Sequence, residues 1–327
     1  MRIVISGSIA FDYLMPFPGR FVEHILPTEI DHLSVSFLVD TMEKRRGGVA
    51  PNIAYTLALL GERPVLVGTA GEDFADYRAW LEKHGVDTSG VMLLPDVFTA
   101  SFFVTTDLDN HQIATFYTGA MAYSHQIALA ESAGRDADLV VVSPDAPRAM
   151  IQRVQECQTL GIPYWYDPSQ QIIRLSGEEL AAGIEGCHLL VVNEYEFAMI
   201  REKTGWTEEQ VRKKAGGVAI TLAERGALLV VQDEEHWIPP VPPNPIVEPT
   251  GAGDAFRAGL LRGHSLNLGW DIAGRMGTLA AAYVLEQTGT QTHHYTRQDF
   301  VSRYRDNFDD QGALDVLLEG EPAFHPA

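Results

Sequence analysis

The densest chemistry in this sequence lies in nine residues, Glu248-Pro-Thr-Gly-Ala-Gly-Asp-Ala-Phe256. The glycines precede an apolar-periodic segment with Ala255, Ala258, Leu260 and Leu261, the pattern of a turn that opens a helix. Backbone amides of Gly251, Ala252 and Gly253 can point at one spot there, where the helix dipole also favours negative charge. That makes an anion hole. Asp254 stands at its rim, badly placed to bind an anion and well placed to take a proton from an incoming hydroxyl. The competing reading is an ordinary glycine turn with an acidic residue in the first helical turn. The surrounding residues decide for chemistry.

Other candidates are spread along the chain. Asp12 follows a strand-like run, where open α/β sheets bind ligands, and one carboxylate can accept two hydroxyl hydrogen bonds from a diol. Gly47 and Gly48 let backbone approach a ligand closely, or form a hinge. Asn52 falls in the first turn of a helix. Asn193 and Glu196 lie at the end of a strand, suited to holding metal-bound water, and equally suited to capping the next helix. A structural or solvated role is expected for Arg257. There is no Gly-x4-Gly-Lys-Ser/Thr loop and no His-Glu-x-x-His, and Phe256 spoils a dinucleotide fingerprint.

Taken in order, these pieces resemble the ribokinase-like (PfkB) family of carbohydrate and nucleoside kinases. Pro249–Gly259 is similar to its signature, Gly7-Ser-Ile-Ala-Phe-Asp12 to its opening strand and substrate-binding Asp, and Gly47-Gly-Val-Ala-Pro-Asn52 to its first signature with a substrate-contacting Asn. Asn193-Glu-Tyr-Glu196 resembles the motif associated with magnesium and phosphate, and Thr221-Leu-Ala-Glu-Arg-Gly226 the nucleotide-binding strand and turn. The resemblance implies ATP and Mg2+ as cofactors, with Asp12, Gly47, Gly48 and Asn52 on the acceptor. It places Asn193, Thr221 and Gly226 on the nucleotide, and metal-bound water on Glu196 and Asn193. It also implies a phosphoryl transfer in which Asp254 is the base and the Gly251–Gly253 amides stabilise charge. A K+ site, left open, would fall on Glu248, Thr250 and Thr288. Glu248 stands where the family usually has Asp, and Ala223 replaces a usual Gly in the nucleotide turn.

Within the family, Thr106–Met121, Tyr166–Gln171, Ala258–Arg262 and Ala280–Glu286 look most like microbial nucleoside and adenosine kinases. A nucleoside needs a flat apolar slot for its base, and Phe37, Phe102, Phe103, Phe116 and Tyr117 are the aromatics at hand. A purine nucleoside such as adenosine is the expected acceptor. Ribose, fructose or a related sugar is the alternative within the family. A nucleotide-dependent hydrolase or ligase, and a non-catalytic ligand sensor on the same fold, are alternatives of other classes.

The elements that must position these residues alternate. Strands are expected at Ile3–Ile5, Val65–Val67, Leu139–Val142, Tyr164–Tyr166, Leu189–Val192, Val218–Thr221 and Leu228–Val231. Helices are expected at Pro51–Leu60, Phe74–His84, Pro147–Leu160, Glu194–Lys203, Ala252–His264, Asp271–Glu286 and Arg297–Asn307. This is a doubly wound, mostly parallel α/β fold, expected as a single domain over residues 1–327. Two segments break the alternation. Leu33–Val39 alternates as a half-buried strand does, and Ala100–Tyr117 reads as a hairpin around Asp109-Asn110. Together they predict a small β-sheet lid from inserts at about 13–46 and 98–120. Pro239–Pro249 reads as an extended connector to the signature.

With 44 Asp and Glu against 24 Lys and Arg, the net charge of -20 repels nucleic acid and anionic membranes. Cys157 and Cys187 are too few for a disulfide framework or a zinc site. Arg2–Ile9 is strand-like rather than a signal peptide, so the expected location is cytoplasmic. The expected partners are a small molecule and, through the lid, a second copy of the chain, where Leu33, Val35 and Phe37 either pair subunits or cover the substrate.

Overall fold

The computed structural model describes residues 1–25, 31–32, 34–132 and 135–319. In chain order the strands are β1 Ile3–Ser6, β2 Ala10–Pro16, β3 Glu43–Gly47, β4 Val65–Ala70, β5 Asp87–Leu93, β6 Ala100–Thr106 and β7 Gln112–Tyr117. They continue with β8 Leu139–Val142, β9 Tyr164–Tyr166, β10 Leu189–Asn193, β11 Gly217–Thr221, β12 Ala227–Val231 and β13 Glu234–Ile238. The helices are α1 Val49–Leu59, α2 Ala75–Lys83, α3 Pro147–Leu160, α4 Gly177–Ile184, α5 Glu194–Thr204, α6 Glu208–Lys214, α7 Ala252–Ser265, α8 Trp270–Leu285 and α9 Arg297–Asn307.

Nine strands form one sheet in the order β13-β12-β11-β10-β9-β8-β1-β4-β5. Pairing is parallel from β5 to β11, and the last two strands turn antiparallel. The strands are almost wholly apolar because helices cover both faces. Ile3 and Ile5 face one core with α1, α2, α7 and α8, while Val4 between them faces the other with α3, α4, α5 and α6. The chain starts at β1, builds outward to β5, then returns to β8 on the other side of β1. This reversal opens a crevice beyond the carboxyl ends of β1 and β8, where such sheets take ligands.

Helix α7 is held in place by close backbone contact. A Cβ on Gly259 would sit 2.4 Å from the Met276 carbonyl, and one on Gly263 2.4 Å from the Ala273 Cα, so α7 lies directly against α8.

A second sheet has four strands in the order β3-β2-β6-β7, with β2 parallel to β6 and the outer pairs antiparallel. The hairpin expected around Asp109-Asn110 is present, with Asn110 at φ 62. The other expected strand is not. Residues 34–39 carry no strand, and Leu33 lies outside the described residues. The alternation there reflects a local cluster, in which Phe37 packs edge-on against Phe17 and Phe21. That half of the sheet is built instead from β2, an inner strand, and β3, an edge strand, whose burial follows no clear period.

Candidate active site

Asp254 is the third residue of α7, whose first turn is set by Gly251 at φ 85, a left-handed conformation that glycine adopts without strain. A Cβ there would also come within 2.9 Å of Thr290. Ala252 gives its amide to the Pro249 carbonyl at 3.3 Å. Among the described residues no acceptor takes the amides of Gly251 or Gly253. Of the three amides expected to form an anion hole, one is thus engaged and two are free.

The Asp254 carboxylate accepts a hydrogen bond from Asn52 Nδ2 at 2.8 Å, and Arg257 Nη1 lies 4.0 Å from its other oxygen. Burial pushes the carboxyl up to about 6; Arg257 and the Asn52 bond pull down, and the charge of Glu196 adds to the rise. A base poised near neutrality is what proton abstraction from an alcohol asks for.

Arg257 is neither solvated nor idle. It is 8% exposed, donates to Asp167 Oδ1 at 2.6 Å, and its Nε lies 2.6 Å from Oδ2. Asp167 follows β9 directly and is fully buried, which drives its carboxyl upward against the pull of Arg257. In the sequence, Asp167 is one residue of the Tyr166–Gln171 stretch, with no role of its own. A lone Asp after three buried aromatics was the signal available.

Asp12 is on β2 of the small sheet, not at the end of β1 as expected, opposite Arg45 in register. Burial raises its carboxyl to about 6, with Arg45 lowering it and Glu248 raising it. Its side chain lies over Gly47, where a Cβ would meet Oδ2 at 2.6 Å. Gly48 caps α1 at φ 93. Asp12, Arg45, Glu248, Thr250 and Thr290 line one cleft of about 920 Å³ whose apolar wall includes Leu14, Met42 and Phe102. Of the five aromatics singled out, only Phe102 lines it. Phe103 stacks on Tyr13, and Phe116 and Tyr117 face solvent.

Asn52, expected on the acceptor, is 5% exposed and has its amide engaged by Asp254 and Gln291. Glu248 has its carboxylate on Arg45 Nη1 at 2.8 Å and on the Gly289 amide at 3.1 Å, so a guanidinium already matches its charge. Thr250 lines the cleft, and the Thr288 carbonyl takes the Thr292 hydroxyl at 2.7 Å.

On the other side, Asn193 and Thr221 are register partners at the carboxyl ends of β10 and β11. Asn193 and Glu196 form a capping box on α5, the reading that competed with metal binding. The Glu196 carboxylate is not exhausted by it. Oε2 accepts from the Asn193 amide, and Oε1 takes only the Ser169 hydroxyl at 3.2 Å. Its charge acts on both Asp167 and Asp254, so three carboxylates face one guanidinium here. Glu196 Oε1, with a single hydroxyl on it, is the oxygen here with capacity left for a cation's water, which fits a largely hydrated ion such as Mg2+. Gly226 is at φ 89, where a Cβ would strike the Ile238 carbonyl at 2.0 Å, and Ala223, in the family's glycine position, is also at positive φ. Among the described residues the one cluster of three potential ligands that converge closely enough to hold a metal is Asp107, Asp109 and His111, on the hairpin turn. Asp107 is occupied there by the amides of Phe21, Asp109 and His111.

A parallel sheet whose crevice joins an amide-lined helix end to a carboxylate-bearing flap defines a small-molecule kinase of the ribokinase-like class. A family model described as pfkB family carbohydrate kinase matches residues 15–297. A nucleoside kinase of Methanothermobacter thermautotrophicus is 29% identical over 304 residues, 92% of this chain and 95% of that protein. Burkholderia thailandensis nucleoside kinase in complex with inosine has 37% identity and a TM-score of 0.84, with 94% of this chain and 98% of that one covered. Methanocaldococcus jannaschii nucleoside kinase, at 23% identity and a TM-score of 0.83, shares the fold. The chain belongs to the pfkB family of carbohydrate kinases, and it is a kinase.

Proposed function

We propose that this kinase transfers the γ-phosphoryl group of ATP to the hydroxymethyl group of a purine nucleoside, adenosine or inosine, with Asp254 as general base. The observation that carries this reading is the cleft. Its volume of about 920 Å³ lies at the upper end for small-molecule sites and exceeds what a free sugar fills. Its carboxylate, Asp12, suits a ribose diol, and Leu14, Met42 and Phe102 suit a base. The likeness to a nucleoside kinase solved with inosine, and with ADP-inosine, supports the same assignment.

In this mechanism Asp254 removes the hydroxymethyl proton as that oxygen attacks the γ-phosphorus in line; the new O–P bond forms as the bond to the β-phosphate oxygen breaks. The free amides of Gly251 and Gly253 donate to the charge on the transferring group. Asp12 holds the acceptor diol. Asn193, Thr221 and Gly226 flank the nucleotide. Asn193 and Glu196 would hold Mg2+ through water, and the ion supplies charge neutralisation for the phosphates when bound. The small sheet closes over the acceptor and excludes water, suppressing hydrolysis of ATP. The edge strand β7, exposed along its whole length, pairs with a second subunit.

The test is ADP release with MgATP and a panel of adenosine, inosine, guanosine, cytidine, ribose and fructose. The expected result is efficient turnover of a purine nucleoside. Turnover of a free sugar alone would overturn the acceptor and leave the kinase in place.

A further inference from the structure

An unbroken chain of hydrogen bonds crosses the interior from β3 to Asp254, and one end of it sets the polarity of the whole. Gly47 ends β3 with a carbonyl, which only accepts. The Tyr77 hydroxyl on α2 lies 2.9 Å from it and must donate to it. With that proton spent, the Gln291 amide atom 2.5 Å from the phenol oxygen must be the donor, Nε2. The same nitrogen lies 2.9 Å from the Asn52 side chain, which therefore presents Oδ1. Asn52 is left facing Asp254 with Nδ2, at 2.8 Å from Oδ2. The orientations of two side-chain amides, ordinarily ambiguous, follow from one backbone carbonyl.

Tyr77, Gln291 and Asn52 are 1%, 4% and 5% exposed, so water does not relieve any link. We propose that Tyr77, Gln291 and Asn52 are positioning residues for the base: together they aim an N–H at Asp254 and hold its carboxylate as an acceptor, in the ionised form. This rests on the reading of Asp254 as base. A proton on Oδ2 would face the Asn52 N–H and break that bond, and a proton on Oδ1 would weaken it from a charge-assisted bond to a neutral one, so the donor favours the ionised form either way. On this account Asn52 serves the base rather than the acceptor.

The charges around Asp254 leave the relay a distinct task. Arg257, on α7 itself, favours the anion from 4.0 Å but gives its close contacts to Asp167. Glu196 on α5 opposes the anion. The Asn52 N–H is thus the close donor that keeps Asp254 ionised.

The test compares the parent enzyme with Tyr77→Phe, Gln291→Met, the double variant and Asp254→Asn, using MgATP and inosine from pH 5 to 9. Each single variant is expected to lower kcat roughly tenfold and to move the acid limb of kcat up by about one pH unit, with the KM for ATP within about twofold. The double variant should be no worse than the weaker single, because both break one chain. An unchanged acid limb in folded single variants, or losses that multiply in the double, overturns the relay. If Tyr77→Phe does not fold, Gln291→Met alone decides in the same way. A fully active Asp254→Asn overturns the base itself. An inactive Asp254→Asn beside a normal Tyr77→Phe overturns only the relay.

Discussion

Burial raises the Asp254 and Asp12 carboxyls to about 6, from an ordinary 3.8. For activity, the base must be ionised, so kcat/KM for the acceptor should fall as pH drops through about 6; a limb nearer 4 would contradict a buried base. For stability the sign is reversed. Between about pH 6 and 4 the folded protein takes up protons that the unfolded chain does not, so acidification through that window stabilises it. Asp254→Asn should accordingly lower kcat by roughly two to four decades while raising Tm at pH 7–8 by a few degrees, read by calorimetry beside turnover. A variant that loses both activity and Tm would place Asp254 in the scaffold. Asp12→Ala should raise the acceptor KM, by about 1.5–3 kcal/mol of binding, and leave the ATP KM alone. A rise in the ATP KM instead would move Asp12 to the nucleotide. Asp254, Asp12 and the glycines were legible in the sequence because each sits in a local motif. Tyr77, Gln291 and Asp167 were not, because what they do depends on partners 30 to 239 residues away.

Helix α5 shows one pair of residues serving two ends. Asn193 and Glu196 cap it, and the Glu196 charge reaches the site. The two roles separate in Glu196→Gln, since glutamine also completes a capping box. That variant should keep Tm within about a degree, as a conserved cap implies, and raise the Mg2+ concentration needed for half-maximal turnover several-fold. An unchanged magnesium requirement would leave only the cap. Capping boxes also start α4 at Ser176 and α6 at Thr207, two short helices that the apolar periodicity missed. The longer α3 and α9 matched expectation at both ends, because about three to four turns give the period room to register. At 34–39 the period misled, since aromatic packing around Phe37 imitates a strand.

For the molecule as a whole, no helix among the described residues is long and apolar enough to cross a membrane. Strand β7 leaves Ile113, Phe116 and Tyr117 in solvent on an open sheet edge. If that edge pairs subunits, Phe116→Lys should shift the sedimentation coefficient from dimer to monomer; a parent protein that sediments as a monomer would end that proposal. The strand order carries a different implication. Everything assigned to the acceptor in the small sheet comes from residues 10–117, and the nucleotide side, Asn193 to Gly226, comes later. The two halves of the transaction are written in consecutive stretches of the gene. One crossover between codons 118 and 188 would exchange the small sheet's share of the cleft and keep Asn193 to Gly226, with Glu248, Thr250 and Thr290, intact. A lineage can thus recast one wall of that cleft while leaving the opposite wall and strands β10 and β11 unchanged.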